Sequence, residues 1–80
     1  MWYVYVLKSL SNNRHYTGYT KDLKRRLEEH NNGKTKSIKF IRPLELIYKE
    51  EYNTSSEAAR REKFLKSGRG REFLKEILGI

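Results

Sequence analysis

The segment HYTGYTKDLKRRLEEH, residues 15–30, sets Tyr16 and Gly18 two apart and Arg26 and His30 four apart. On a strand the first pair shares a face, and on a helix the second pair lies one turn apart. Upstream stands Tyr5. Downstream stands Glu62, the only acid between Ala58 and Gly70, among Arg60, Arg61, Lys63, Lys66 and Arg69. Each of these residue types has a task in the hydrolysis of a phosphodiester. A carboxylate holds a divalent cation, which polarises the phosphoryl oxygen and helps the leaving oxygen depart. Arginine matches phosphate with a planar fork of donors. A tyrosine passes a proton; with a reference pKa of ~10 it is a poor base at neutral pH, unless arginine, imidazolium or metal nearby favours the phenolate. A glycine lets a bulky group approach the strand.

The elements that must position these residues can be read along the chain. Residues 2–8 alternate, with Trp2, Val4 and Val6 on one face and Tyr3, Tyr5 and Leu7 on the other, which predicts a strand covered on both faces. Ser9 to Arg14 is turn chemistry, and residues 15–20 complete an antiparallel hairpin. Asp22 caps a helix running to His30, and Asn31-Asn32-Gly33 stops it with a left-handed turn. Residues 33–42 read as a basic loop, with room for a short helical turn. Pro43 then opens a third strand, LELIYKEEY. Thr54 and Glu57 form a capping box before a helix that ends at Ser67-Gly68. A last helix over about 70–78 carries Phe73, Leu74, Ile77 and Leu78 on one stripe. The order is ββαβαα. The expected fold is α+β, a three-stranded antiparallel sheet flanked by helices, in one domain over residues 1–80.

Eighty residues bury a thin core, since a chain of this size hides only about 60% of its unfolded surface. No cysteine is present, which excludes disulfides, thiolate zinc sites and cysteine nucleophiles and fits a reducing cytoplasm. The apolar start is a strand's length and lacks a basic flank, so a strand is expected there and not a signal peptide. No apolar run approaches the ~20 residues of a membrane span. Lysine and arginine number 18 against 10 acids, a formal net charge of +8. That excess favours a polyanionic partner. Lys34, Lys36, Lys39 and Arg42 in the loop, with Arg61, Lys66 and Arg69 downstream, are the expected phosphate-facing cations.

On the stretches YVYVL (3–7), YTGYTKDLKRRLEEHNNG (16–33), PLELIYKEEY (43–52) and EAARREKFLKSGRGREFL (57–74), the chain resembles the GIY-YIG nuclease superfamily. Within it, the likeness is to the small stand-alone bacterial proteins made of that domain alone. The resemblance places Tyr5 on the tyrosine of the first motif, and Tyr16 and Gly18 on the tyrosine and glycine of the second. Arg26 falls on the helix arginine, Glu62 on the metal-binding glutamate, and His30 on a position that is histidine or tyrosine in relatives. Tyr3 and Val4 stand where the first motif has glycine and isoleucine, and Thr17 replaces the second isoleucine. Tyr19 stands where some relatives have lysine, which leaves His30 to assist the base.

What the resemblance implies is a metal-dependent endonuclease acting on DNA, with RNA as a further candidate, in DNA repair or processing. A water attacks phosphorus and one tyrosine takes its proton, Tyr5 the first candidate and Tyr16 its positioning partner. Arg26 stabilises the phosphate charge, and Mg²⁺ or Mn²⁺ on Glu62 stabilises the leaving 3′-oxygen. Larger members carry separate DNA-recognition domains, so a partner protein or self-association is expected to supply specificity here. Plainer roles stand beside these. Strand tyrosines commonly serve packing, His30 can serve a helix dipole as a cation, and Glu62 can pair with a neighbouring cation. A nucleic-acid-binding adaptor, or a protein-interaction module using the basic face, is the alternative function.

Overall fold

The computed structural model describes residues 1–32 and 43–79. The elements follow the predicted order: β1 (Trp2–Ser9), β2 (His15–Thr20), α1 (Leu23–Asn31), β3 (Leu44–Tyr52), α2 (Ser55–Lys66) and α3 (Gly68–Leu78). The three strands are antiparallel in the order β2-β1-β3, which leaves β2 as an edge. No helix among the described residues is long and apolar enough to cross a membrane.

The hairpin forms because Ser9 gathers its own turn. Its hydroxyl accepts from the backbone of Ser11 and Asn12, and Asn13 takes a φ of 60° to reverse the chain. Asp22 accepts from the Arg25 amide and caps α1, and Thr54 does the same for Glu57 at α2, each satisfying a donor that the first helical turn leaves free. Ser67 closes α2 and caps α3 through the Gly70 amide. The third helix therefore starts two residues earlier than its apolar stripe indicates. The first helix ends where Asn31-Asn32 is expected to stop it, with Asn32 as its C-cap at φ −84°; Gly33 lies outside the described residues. Asn31 also reaches β3, donating to the Leu44 carbonyl at 3.2 Å and accepting from its amide at 2.8 Å.

The alternation of β1 is used on both sides. Val4 and Val6 pack with Ala58, Leu65 and Leu74 under α2 and α3; Tyr5 and Leu7 pack with Leu44 under Leu23 and Leu27 of α1. In β3 the register slips between Val6 and Leu7, so that Val6 pairs with Tyr48 but Leu7 with Leu46. This bulge at Ile47 re-aims the strand. Tyr48, Glu50 and Tyr52 share a face with Val4 and Val6, whereas Leu44 and Leu46 seal the other side.

Arg61, expected among the phosphate-facing cations, has its guanidinium engaged within the fold. Its guanidinium donates to both oxygens of Glu50, at 2.8 and 3.0 Å, and lies over the rings of Phe64 and Phe73. Tyr48 and Tyr52 donate to the same carboxylate. The cation is held because a bidentate partner and two aromatic faces outbid water. Burial alone would raise the Glu50 carboxyl, but the hydrogen bonds from Arg61, Tyr48 and Tyr52 outweigh it and hold it below the usual carboxylate range, while Tyr52 is pushed up to about 12. A carboxyl with a depressed folded pKa stabilises the fold above its unfolded pKa, and that stability is lost as pH falls through the folded value. Glu50→Gln is expected to cost about 2 kcal/mol at neutral pH, the scale of hydrogen bonds to a charged group. Thermal melts across pH should show the gap between wild type and variant closing in acid. A gap that persists there would place the stabilisation elsewhere.

Candidate active site

A concavity of 1120 Å³ wraps the free edge of β2. From the α1 side of the sheet Tyr5, Tyr16, Gly18, Arg26 and His30 line it; from α2, packed on the opposite face, Glu62 and Lys66 line it. Residues from four elements thus meet around one strand. Lys34, Lys36, Lys39 and Arg42 lie outside the described residues. Arg69 is exposed on α3 and borders a different concavity.

Tyr5 is buried at 5% exposure, and its hydroxyl lies 3.3 Å from Nε2 of His30, itself 6% exposed. Either atom donates, according to the imidazole tautomer. His30 Nδ1 is buried and finds no hydrogen-bond partner among the described residues. Burial first, then the Arg26 cation, lowers the His30 pKa against a smaller opposing effect of Glu29. Both effects favour the uncharged imidazole over the imidazolium that a helix dipole would use. A neutral ring beside a phenol is suited to holding or exchanging a proton with it.

Gly18 also has a reason different from the expected one. It pairs with Tyr5 across the hairpin. A Cβ there would stand 2.5 Å from the Tyr5 hydroxyl and 2.8 Å from the ring carbon bearing it. The space expected to admit phosphate is filled by the phenol. Gly18→Ala is expected to destabilise the fold by about 1–3 kcal/mol, as overpacking does, and to push Tyr5 away from His30. Denaturant unfolding together with the Tyr5 ring signals in an NMR spectrum measures both effects. A fully stable variant with an unmoved ring would show that the sheet yields without strain.

Tyr16 is half-buried and presents its hydroxyl at the hairpin end. Asn12 Nδ2 donates to that oxygen at 3.2 Å, while Asn12 Oδ1 accepts from the Arg14 amide at 2.9 Å. Because a backbone N–H must meet the carbonyl oxygen, the amide orientation of Asn12 is determined and its NH₂ faces the phenol. Sequence reading missed this residue; its place in a turn signalled only backbone geometry.

Arg26 is 41% exposed in its side chain, with a guanidinium nitrogen 3.9 Å from Glu29, so most of its donors stay open to the concavity. Glu62 is 20% exposed and 3.1 Å from the Lys66 ammonium. No group of three or more metal-ligating side chains occurs among the described residues. The Glu62 carboxylate fits a hard divalent cation of the magnesium type, which keeps several waters and completes its shell with substrate phosphate. Further cations border the groove and were not singled out from sequence: Arg14 on the hairpin and Arg71 and Lys75 on α3. The last two are four apart, a helical spacing that marks one face.

The GIY-YIG catalytic domain family matches residues 1–74. A UPF0213 protein of Staphylococcus epidermidis is 45% identical over 76 residues, covering 94% of this chain and 92% of the relative. A UPF0213 protein of Staphylococcus aureus is 46% identical over 66 residues, covering 81% and 79%. The solution NMR structure of a UPF0213 protein from Bacillus halodurans superposes with a TM-score of 0.58 at 35% identity, covering 99% of this chain and 87% of that one.

Proposed function

The chain belongs to the GIY-YIG family, a nuclease superfamily, and from that premise we propose that it is a divalent-metal-dependent endonuclease. It hydrolyses DNA phosphodiester bonds, directed by the shape of the substrate, in DNA repair or processing. One observation carries this reading: Tyr5, Tyr16, Arg26, His30 and Glu62, spread over four elements, line a single cation-rimmed concavity.

In this mechanism the scissile phosphate enters the groove beside Arg26, whose planar fork binds two of its oxygens and offsets charge as the phosphorus becomes five-coordinate. A phenolate of the tyrosine pair takes a proton from the attacking water. Neutral His30 holds the Tyr5 hydroxyl in place and exchanges a proton with it. Arg14, Lys66, Arg71 and Lys75 hold neighbouring phosphates. Glu62 would hold Mg²⁺ or Mn²⁺, and the bound metal would supply Lewis-acid stabilisation of the phosphoryl and leaving 3′-oxygens.

The test is incubation of the purified protein with linear, nicked and branched DNA, and with RNA, in Mg²⁺ or Mn²⁺ against an EDTA control. Metal-dependent cuts in DNA support the reading. Binding without any cut would identify the chain as an adaptor on a nuclease fold. Affinity of the isolated chain should be low. A module of this size covers about 600–1,000 Å² of nucleic acid, and cation-to-phosphate contacts carry no sequence information. The expected dissociation constant is about 10⁻⁴–10⁻⁶ M at physiological salt, weakening steeply as salt rises. Selectivity then comes from DNA shape, from a partner protein or from self-association. A nanomolar, sequence-dependent constant with little salt slope would sink this expectation.

A further inference from the structure

Beside the groove lies a second concavity, of 510 Å³, where the ends of the sheet and the start of α1 meet. Trp2, Tyr19, Lys21, Arg25, Arg26 and Glu29 line it. Tyr19 and Arg26 line the main groove as well, so the two spaces adjoin. Tyr19 pairs with Val4 and therefore shares a face with Trp2; the two rings are 6.1 Å apart and tilted by 47°. Tyr19 is nevertheless 39% exposed, one of the few large apolar side chains left at the surface among the described residues. Around it stand three cations against one carboxylate. Arg25 is 76% exposed in its side chain and uses one nitrogen on Glu29 at 3.1 Å, which leaves other guanidinium donors free. Lys21 is exposed and pairs with no carboxylate among the described residues.

An exposed aromatic backed by a second ring and flanked by cations is the surface on which an unstacked base lies while its phosphate is held. A base inside a duplex cannot offer its face to such a platform. We propose that this cleft is a nucleotide subsite: Tyr19 stacks one unpaired base of the DNA beside the scissile phosphate, and Lys21 and Arg25 hold the flanking phosphate. The inference rests on the nuclease reading and narrows it. The preferred substrate carries a single-stranded or displaced nucleotide next to the cut. Arg26, shared by both spaces, sets the distance between the stacked base and the reacting phosphorus.

The experiment measures binding in EDTA, where no cleavage is needed. A short labelled oligothymidylate and a duplex of equal length are titrated with wild type, Tyr19→Phe and Tyr19→Ile. Isoleucine preserves strand preference and apolar area without an aromatic face. Tyr19→Ile is expected to lose about tenfold in affinity for the single strand, the low end of base stacking on an aromatic residue, and to keep its affinity for the duplex. Tyr19→Phe should bind both as wild type does. Trp2, the only tryptophan of the chain, supplies an independent signal: its emission should be quenched by the oligothymidylate and not by the duplex. Equal single-strand affinity in Tyr19→Ile, or equal losses on both ligands, overturns the subsite, as does tryptophan emission indifferent to the single strand. Tyr19-dependent selectivity in a protein that never cuts DNA would keep the subsite and remove the nuclease reading. Cleavage with Tyr19-independent binding would do the reverse.

Discussion

Glu62→Gln is expected to lower Mg²⁺-dependent cleavage by about 10²-fold or more while leaving the fold and most of the DNA affinity in place. The size follows from the several kcal/mol that a metal contributes to a phosphoryl transition state, at a factor of ten for each 1.36 kcal/mol. The glutamine is isosteric, so packing on α2 is kept. What the fold loses is an ion pair with Lys66, whose side chain is 55% exposed, and pairs of that kind one helical turn apart contribute only about 0.3–0.5 kcal/mol. DNA affinity should hold, since a negative charge leaves a cationic groove. Glu72 also lines the concavity, from α3, and Glu72→Gln is the control expected to cut normally. Calorimetric titration of Mg²⁺ into the free protein should show only weak binding, because the cation would rely on one carboxylate, water and the absent phosphate. Full cleavage by folded Glu62→Gln protein would remove the metal role. Loss of cleavage in Glu72→Gln alone would move that role to α3.

How far such assignments were legible in the sequence depended on the distance over which each residue's reason acts. Caps and turns act within a few residues, so Asp22, Thr54 and the hairpin at Ser9–Arg14 were readable from local chemistry alone. The two faces of β1 were readable because its period of two is unbroken. In β3 the same period misleads. The letters LELIYKEEY give no sign that the register slips at Ile47, since a bulge is a property of the pair of strands. Arg61 resembles its neighbours Arg60 and Lys63 in sequence; only the fold reveals that Glu50, eleven residues earlier, faces it together with two aromatic rings. Gly18 was readable as a residue that must be small, but its occupant, Tyr5, belongs to the partner strand. Asn31, read only as a helix stop, also ties α1 to Leu44, the first residue of β3 and 13 positions further on. Nonlocal contacts of this kind leave no periodic trace. For the candidate site, the resemblance supplied the set of residues, and the structure added their differing surroundings.

Those surroundings bear on the tyrosines, of which the sequence reading ranks Tyr5 first. Tyr16→Phe is expected to lose roughly 10²-fold or more in cleavage rate, the lower end of general-base contributions, and Tyr5→Phe to lose less. A proton acceptor must meet the attacking water. The Tyr5 ring lies over Gly18 at 5% exposure with its hydroxyl turned to buried His30. Tyr16 is half-buried at the hairpin end, its oxygen held by an Asn12 amide of determined orientation. On this geometry Tyr16 is the phenol more open to solvent and the one that would meet substrate in the proposed mechanism, with the Tyr5–His30 pair as the support behind it. Removing the Tyr5 hydroxyl leaves Nε2 of a buried imidazole without its partner, which costs about 1–3 kcal/mol in stability. Tyr16→Phe exposes nothing comparable, since Asn12 can turn its NH₂ to water. The two variants therefore separate on two axes: Tyr16→Phe inactive and stable, Tyr5→Phe less stable and partly active. Single-turnover rates with thermal melts read both. A larger rate loss in Tyr5→Phe would return the acceptor role to Tyr5 and make His30 the next carrier of its proton. Wild-type rates in both would make the tyrosines packing residues and leave the attacking water without a base among them.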